Sequence, residues 1–317
     1  MQNKVPRVLV IMATYNGGMY VSEQIDSILA QEDVDAHLYV ADDRSSDSTI
    51  RILEDYSRRF PSRIEFAVNE TNVGAKSNFM KALYSYSRID QFDYVAFSDQ
   101  DDIWLPRKLA RGVELLSMSV PISEPALYYC DVTNFDDAHE WSEMAPYRDY
   151  EDYPGALLLR NWVNGCAMIM NRQLVSLVLR HQCDEFPRYH DTWVHAIARY
   201  CAVVVPDLDT SLIRRRISGD NVIGESTAPG IRSVSDVRRY IAALFTVKDD
   251  SRRRTAELLY SLYGEEIRPE YRSLIRDFSQ YRGSIRTRIS LGFDKRFWKP
   301  TIQSKLLSFF GFALGWY

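Results

Sequence analysis

Cysteine is scarce and scattered: Cys130, Cys166, Cys183 and Cys201 are the four in 317 residues, and no C-x-x-C pair occurs. That spacing excludes a zinc ribbon and a dithiol redox motif, and it fits a reducing compartment. Long apolar runs are missing too. The start of the chain has only Val8 to Ala13, too short for a signal-peptide core and soon broken by Asn16-Gly17-Gly18. No stretch approaches the roughly 20 apolar residues of a membrane-spanning helix. A cytoplasmic protein without a transmembrane anchor is expected. Internal repeats and low-complexity tracts are absent, and no glycine-rich phosphate loop follows the first apolar run.

What is present is unevenly distributed. The net charge of -4 hides 22 Lys+Arg against 34 Asp+Glu in residues 1 to 225, and 17 against 9 in residues 226 to 317. With Ser226 to Gly230 read as a linker, the chain divides into an acidic domain, 1–225, and a basic, mainly helical extension, 226–317. In the first part, β-branched apolar runs alternate with helical periodicity: Val8 to Ala13, a helix Tyr20 to Ala30, Leu38 to Ala41, a helix Thr49 to Phe60, Ile64 to Val68, a helix from about Lys76 to Tyr86, then Tyr94 to Phe97. This alternation predicts a mostly parallel sheet with helices on both faces. Further on, a helix follows Pro106, a strand spans Cys166 to Met170, a helix opens near His190, and a strand Ala202 to Val205 stops at Pro206. In open α/β sheets, ligands sit beyond the carboxyl ends of the strands. The clusters Thr14-Tyr15-Asn16, Asp42-Asp43 and Asp99 to Asp102 all fall at such ends.

The stretch FSDQDDIW, Phe97 to Trp104, holds Asp99, Asp101 and Asp102 within four positions. In extended backbone Asp99 and Asp101 share a face while Asp102 points elsewhere. Two carboxylates on one face repel unless a cation lies between them, and a hard ion such as Mg or Mn relieves this while also bridging to a diphosphate. The competing reading is helix capping ahead of Pro106. Asp42-Asp43 reads either as an ordinary acidic turn or as acceptors for nucleobase N–H or ribose hydroxyls.

The motifs V-x-I-x-A-T-Y-N-G (Val8 to Gly17), A-D-D-R-S-S-D-S-T (Ala41 to Thr49), N-x-x-N-x-G (Asn69 to Gly74) and F-S-D-Q-D-D-I-W-L-P-x-K-L (Phe97 to Leu109) closely resemble the family 2 glycosyltransferases, in the rhamnosyltransferase-like branch. The resemblance covers about the first 225 residues. It implies a GT-A fold, a nucleotide-diphospho-sugar donor, inversion at the anomeric carbon and a Mn or Mg ion. It puts Thr14, Tyr15, Asn16, Asp42, Asp43, Asn72, Lys76, Asp99 and Gln100 on the nucleotide-sugar, and Asp101 with Asp99 on the metal.

In the second half, Tyr189-His190-Asp191-Thr192-Trp193 resembles the branch's H-D-W-W, whose Asp is the proposed base; Thr192 replaces the first Trp. Inversion by direct displacement needs such a base, and the alternative for Asp191 is an N-cap. Gly165, His190 and Trp193 are the expected acceptor-side residues. Arg214-Arg215-Arg216 offers guanidinium to the diphosphate, with Arg216 the best match, while Ser218 stands where the branch has His. The last segment, Arg282 to Tyr317, has seven Lys or Arg against Asp294 alone and ends in an aromatic, aliphatic run. It suits an anionic membrane surface at the inner face of the cell membrane, or else a tail packed on the protein or in a homo-oligomer. No nucleic-acid signature occurs. Together these point to an inverting glycosyltransferase that moves rhamnose or another deoxysugar to a glycan or lipid-linked glycan in bacterial surface polysaccharide synthesis. A non-catalytic GT-A scaffold that binds nucleotide-sugar or glycan is the alternative.

Overall fold

A computed structural model describes residues 5–136, 138–143, 145–183, 185–186, 188–217, 250–297 and 309–315. The Ser226–Gly230 linker, the boundary at Glu225 and Ser218 lie outside the described residues. The chain falls into two compact units: Met1–Arg148 with Trp162–Arg216, and Asp149–Asn161 with Ile217–Tyr317.

The first unit begins with strands and helices in alternation: β1 (Arg7–Thr14), α1 (Val21–Leu29), β2 (Asp35–Asp42), α2 (Thr49–Arg59), β3 (Ile64–Val68), α3 (Gly74–Ser85) and β4 (Tyr94–Ser98). It continues with β5 (Ile103–Trp104), α4 (Lys108–Ser119), β6 (Ala126–Phe135) and β7 (Glu140–Ser142). The sheet order is β3-β2-β1-β4, continued through β8 (Met168–Asn171), β6, β9 (Val203–Arg216) and β5, with β7 beside β6. β1 to β4 pair in parallel, whereas β8 runs antiparallel to both its neighbours. Val8 to Met12 are wholly buried, the pattern of a central parallel strand covered on both faces. This is the GT-A architecture that the motifs imply.

The register decides where the chemistry goes. Thr14 pairs with Asp42 across β1 and β2, and Met12 pairs with Ser98 across β1 and β4. Three acidic or hydroxyl-bearing chain ends therefore emerge side by side. After Asp102 the chain returns as β5, where Ile103 pairs antiparallel with Arg214. That pairing carries the end of β9 towards the acidic loop.

Two strand expectations change, and one strand goes unread in the sequence. β6, ALYYCDVTNF, has no clean alternation because nearly every residue in it is buried, and it is the longest central strand after β9. Gly165–Ala167 is a single 3-10 turn, so β8 starts two residues later than the apolar run suggests. β9 does not stop at Pro206: Pro206 pairs with Tyr129 on an exposed edge position, and the strand continues past an irregularity near Asp131. The helices α6 (Arg172–Arg180) and α7 (His190–Cys201) complete the unit.

The second unit contains α8 (Ser251–Tyr263), α9 (Pro269–Gln280), α10 (Ile285–Gly292) and a short helix at 309–314, here α11. It also takes in 149–161, with α5 (Ala156–Leu159), which the sequence assigns to the acidic domain. The reason is local packing: the Gly155 amide donates to the Arg296 carbonyl at 2.9 Å, and the Phe297 ring lies where a Cβ on Gly155 would stand.

Helix α4 approaches the sheet through Gly112, where an added Cβ would lie 2.5 Å from Ile169 Cδ1 and 2.7 Å from the Tyr128 ring. Gly112→Ala is expected to lower stability by about 1–3 kcal/mol despite alanine's better helix propensity, because overpacking outweighs it. Thermal or chemical denaturation checks this; an unchanged or raised midpoint would show that β6 and β8 yield at no cost.

Candidate active site

The ends of β1 and β2 are tied together by carboxylates. Asp42 accepts from Thr14 Oγ1 (2.8 Å), Ser45 Oγ (2.6 Å) and the Ser45 amide (2.8 Å), and it is wholly buried. Asp43 accepts from Asn69 Nδ2, from the Val73 amide at both oxygens, and from the Gly74 amide at 2.7 Å. A carboxylate offers about four lone-pair sites. The expectation that this pair stands ready for a nucleobase or ribose is therefore amended: Asp42 clamps two strand ends and Asp43 folds the 69–74 loop beside the site. Asn72 and Tyr15, in contrast, expose their side chains on these loops.

The Thr14-Tyr15-Asn16-Gly17 turn is held by backbone chemistry. Asn16 adopts φ 47°, and its Oδ1 accepts from the Ser46 amide at 2.8 Å. Gln100 spends its amide on Tyr15, accepting from its N–H (2.9 Å) and donating to its carbonyl (3.2 Å). A Cβ on Gly17 would stand 2.2 Å from Gln100 Oε1, so that position has no room for a side chain. The ammonium of Lys76 sits 5.0 Å above the Phe186 ring.

Asp99, Asp101 and Asp102 occupy the loop between β4 and β5. Burial pushes the Asp99 carboxyl up to about 7, with the Asp101 charge second and Asp191 adding, while Arg215 opposes. Asp101 is also raised by burial, and Arg216 and Arg215 hold it down. Asp102 corrects the expectation of an outward-facing or capping residue. It is 1% exposed, its carboxyl faces the Cys166 thiol, and burial followed by the Asp99 charge raises it well above the usual value. The loop curls rather than staying extended, so strict alternation fails there.

Ligand atoms of Asp99, Asp102 and Cys166 lie within 4.8 Å of one another. The group shares Asp99 with the expected metal pair and brings in Asp102. Behind it, Lys108 is wholly buried, with its ammonium 3.6 Å from the Trp104 ring centre, and burial lowers it to about 8. Position 108 in L-P-x-K-L was the available signal for this buried cation.

Asp191 lies in the first turn of α7, whose cap is Tyr189, so it is not the N-cap. It is 7% exposed and accepts from the Thr192 amide (2.5 Å) and Thr192 Oγ1 (3.1 Å). Burial raises it to about 6, against the pull of Thr192, Arg188 and Arg215. Arg215 thus faces Asp99, Asp101 and Asp191 at once. Its guanidinium is held from behind by Asn134 Oδ1 (2.8 Å) and Glu143 Oε2 (3.2 Å). Arg216, the residue singled out by sequence, donates to Glu23 at 2.7 Å and lies over the Tyr20 and Phe135 rings. Both guanidiniums bear on Asp101.

Of the acceptor-side residues, Trp193 is 1% exposed and stacks on Phe186, so it is corrected to a core residue. His190 is buried, stacked on Phe79 at 4.0 Å and edge-on to Phe97, and burial lowers it to about 3, keeping the ring neutral. Gly165 makes room for it: a Cβ there would be 2.4 Å from His190 Nε2. Tyr189, which the sequence reading left unassigned, is an exposed aromatic two residues before Asp191.

The family model for glycosyl transferase family 2 matches residues 9–174. The chain belongs to that family. It is 39% identical over 107 residues to the dTDP-rhamnosyl transferase RfbG of Shigella flexneri, 33% of this chain and 36% of the relative. It is 31% identical over 173 residues to the teichuronic acid biosynthesis glycosyltransferase TuaG of Bacillus subtilis, covering 54% and 64%. In both, the match spans less than two thirds of the relative's length. Among solved structures, S. aureus TarS 1-349 in complex with UDP aligns over 97% of this chain and 89% of its own at TM-score 0.52 and 15% identity. The mannosyltransferase PcManGT of Pyrobaculum calidifontis, with GDP-Man and Mn2+, aligns over 99% and 82% at TM-score 0.52 and 16% identity. At those identities the likeness shows the fold.

Asp43→Ala is expected to cost about 1–3 kcal/mol and to release the 69–74 loop, since two backbone amides lose their acceptor. Hydrogen exchange should quicken at Val73 and Gly74 while the β1 amides stay protected. Unchanged exchange at those two amides would contradict the clamp.

Proposed function

We propose that this chain is an inverting, divalent-metal-dependent glycosyltransferase of bacterial surface polysaccharide synthesis. It works in the cytoplasm and moves a deoxysugar such as rhamnose from a nucleotide-diphospho-sugar to a glycan or lipid-linked glycan. The observation that carries this is Asp191, a buried carboxylate raised to about 6 within electrostatic reach of both Asp99 and Arg215. A general base works best when its pKa lies near the operating pH.

In the proposed reaction the acceptor hydroxyl attacks the anomeric carbon as Asp191 takes its proton. The bond from that carbon to the diphosphate oxygen breaks on the opposite face, the configuration inverts, and the negative charge leaves on the diphosphate. Arg215, immobilised by Asn134 and Glu143, is the guanidinium that meets this charge. The residues fit a hard cation: the buried Asp102 carboxyl lies next to Asp99, and Asp101 adds a third carboxylate in the same loop. Cys166, whose thiol burial keeps well above its usual value, stays neutral and is too soft a donor for Mg or Mn. When bound, the ion supplies positive charge to the diphosphate. Tyr15 and Asn72, exposed on the neighbouring loops, and Lys76 are the side chains left to contact the nucleotide-sugar. The rhamnose assignment rests on the RfbG likeness and on the branch motifs.

Asp191→Asn is expected to reduce transfer by about a hundredfold to ten-thousandfold, with donor affinity changed less than about twofold. Near-normal turnover would remove Asp191 from the mechanism. Wild-type protein that binds a nucleoside diphosphate with Mn but turns over no donor would favour the scaffold reading.

The pH profile has a definite sign. The base must be ionised, so kcat/KM should fall about tenfold per pH unit below the Asp191 value of about 6. A flat profile down to pH 4.5, about where an unburied carboxylate would still be ionised, contradicts a raised base.

A further inference from the structure

Twelve large hydrophobic side chains are prominently exposed among the described residues, and five of them belong to the last two helices: Ile285, Ile289, Phe293, Phe310 and Leu314. Ile285, Ile289 and Phe293 are spaced four residues apart, so they form one stripe along α10 and its end. Helix α11 lies against the same helix. Phe309 contacts Phe293 with ring centres 5.0 Å apart, a Cβ on Gly292 would touch Phe309, and the Arg288 guanidinium reaches the Gly315 end. Phe310 and Leu314 therefore extend the stripe into a two-helix patch. The patch is not a loosely packed core. Phe312 of α11 is wholly buried among Phe278, Tyr281 and Phe297, so one face of the helix pair is anchored in the second unit while the other stays exposed.

The exposed charges of this segment are basic. Arg286 and Lys295 are exposed. The acid of this segment, Asp294, is held by Arg296 through paired hydrogen bonds of 2.6 to 3.0 Å. A two-fold interface between copies would press these cations against their own kind, because such an interface is self-complementary. An anionic lipid surface accepts both the apolar stripe and its basic rim.

We infer that the exposed face of α10 and α11 is a docking surface for an anionic lipid bilayer. Among the described residues no helix is long and apolar enough to cross a membrane, so the contact is peripheral. The inference stands independently of the catalytic roles assigned above.

The test uses the full chain in co-sedimentation with phosphatidylcholine vesicles, with and without phosphatidylglycerol. Wild-type protein should bind the phosphatidylglycerol vesicles, and binding should weaken with added salt. Ile289→Ser with Phe293→Ser should weaken it by about tenfold or more for each side chain, and Arg286→Ala with Lys295→Ala by about fivefold for each charge, with the phosphatidylcholine background unaltered. All four positions are exposed, but Phe293 also touches Phe309, so the folding control is Ile289→Ser alone, whose melting temperature and nucleotide binding should stay at wild-type values; that separates loss of docking from misfolding or a failed site. The inference is overturned if wild-type protein ignores anionic vesicles, or if the substitutions leave binding unchanged. It is also overturned if sedimentation shows a dimer that Ile289→Ser and Phe293→Ser dissociate while vesicle binding is absent.

Discussion

The carboxyl end of this sheet answers to one electrostatic constraint: Asp99, Asp101, Asp102 and Asp191 are held together, Asp102 and Asp191 buried and Asp99 and Asp101 half-buried. Like charges in low dielectric repel strongly, and burial penalises each of them again. Arg215 bears on all four, Arg216 adds its charge at Asp101 and Arg188 at Asp191. These cations offset the repulsion only in part, since burial still raises Asp99, Asp101 and Asp102, with mutual charge adding at Asp99 and Asp102.

The sheet makes the crowding achievable. Parallel pairing of β1, β2 and β4 in tight register delivers their carboxyl ends to one edge, and the β5–β9 pairing brings Arg215 back to meet them. The loops are then fixed by internal hydrogen bonds, with Asp42, Asp43 and Gln100 spent on backbone amides and neighbouring turns. Rigid loops reduce the ordering cost of binding a donor. Neutral His190, wedged between Phe79, Phe97 and Gly165, gives Asp191 a stiff neighbour in the same way.

Much of this was legible in the sequence, for physical reasons. Continuous apolar runs such as Val8 to Met12 read as buried parallel strands because both faces are covered, and the four motifs fall at their ends as the fold requires. The failures have causes too. β6 hides because burial on both sides erases period-two alternation. Asp42 and Asp43 look like ligand acceptors because a sequence shows a carboxylate's type and not how many amides already occupy it. Asp102 was misplaced by applying strand alternation to a loop that curls, and the part of Arg215 beside Arg216 went unread because a triple arginine does not show which guanidiniums reach the acidic loop. Trp193 carries the motif but sits in the core, where neither periodicity nor composition distinguishes it from an acceptor contact.

The most direct measurement is calorimetric titration of a nucleoside diphosphate into the protein, with Mn or Mg present and after chelation. If the carboxylate crowd is a cation site, affinity should drop by at least about a hundredfold on chelation and return with the metal. Equal affinity with and without a divalent ion would show that Arg215 and the protein's own charges suffice, and that the crowding serves another end.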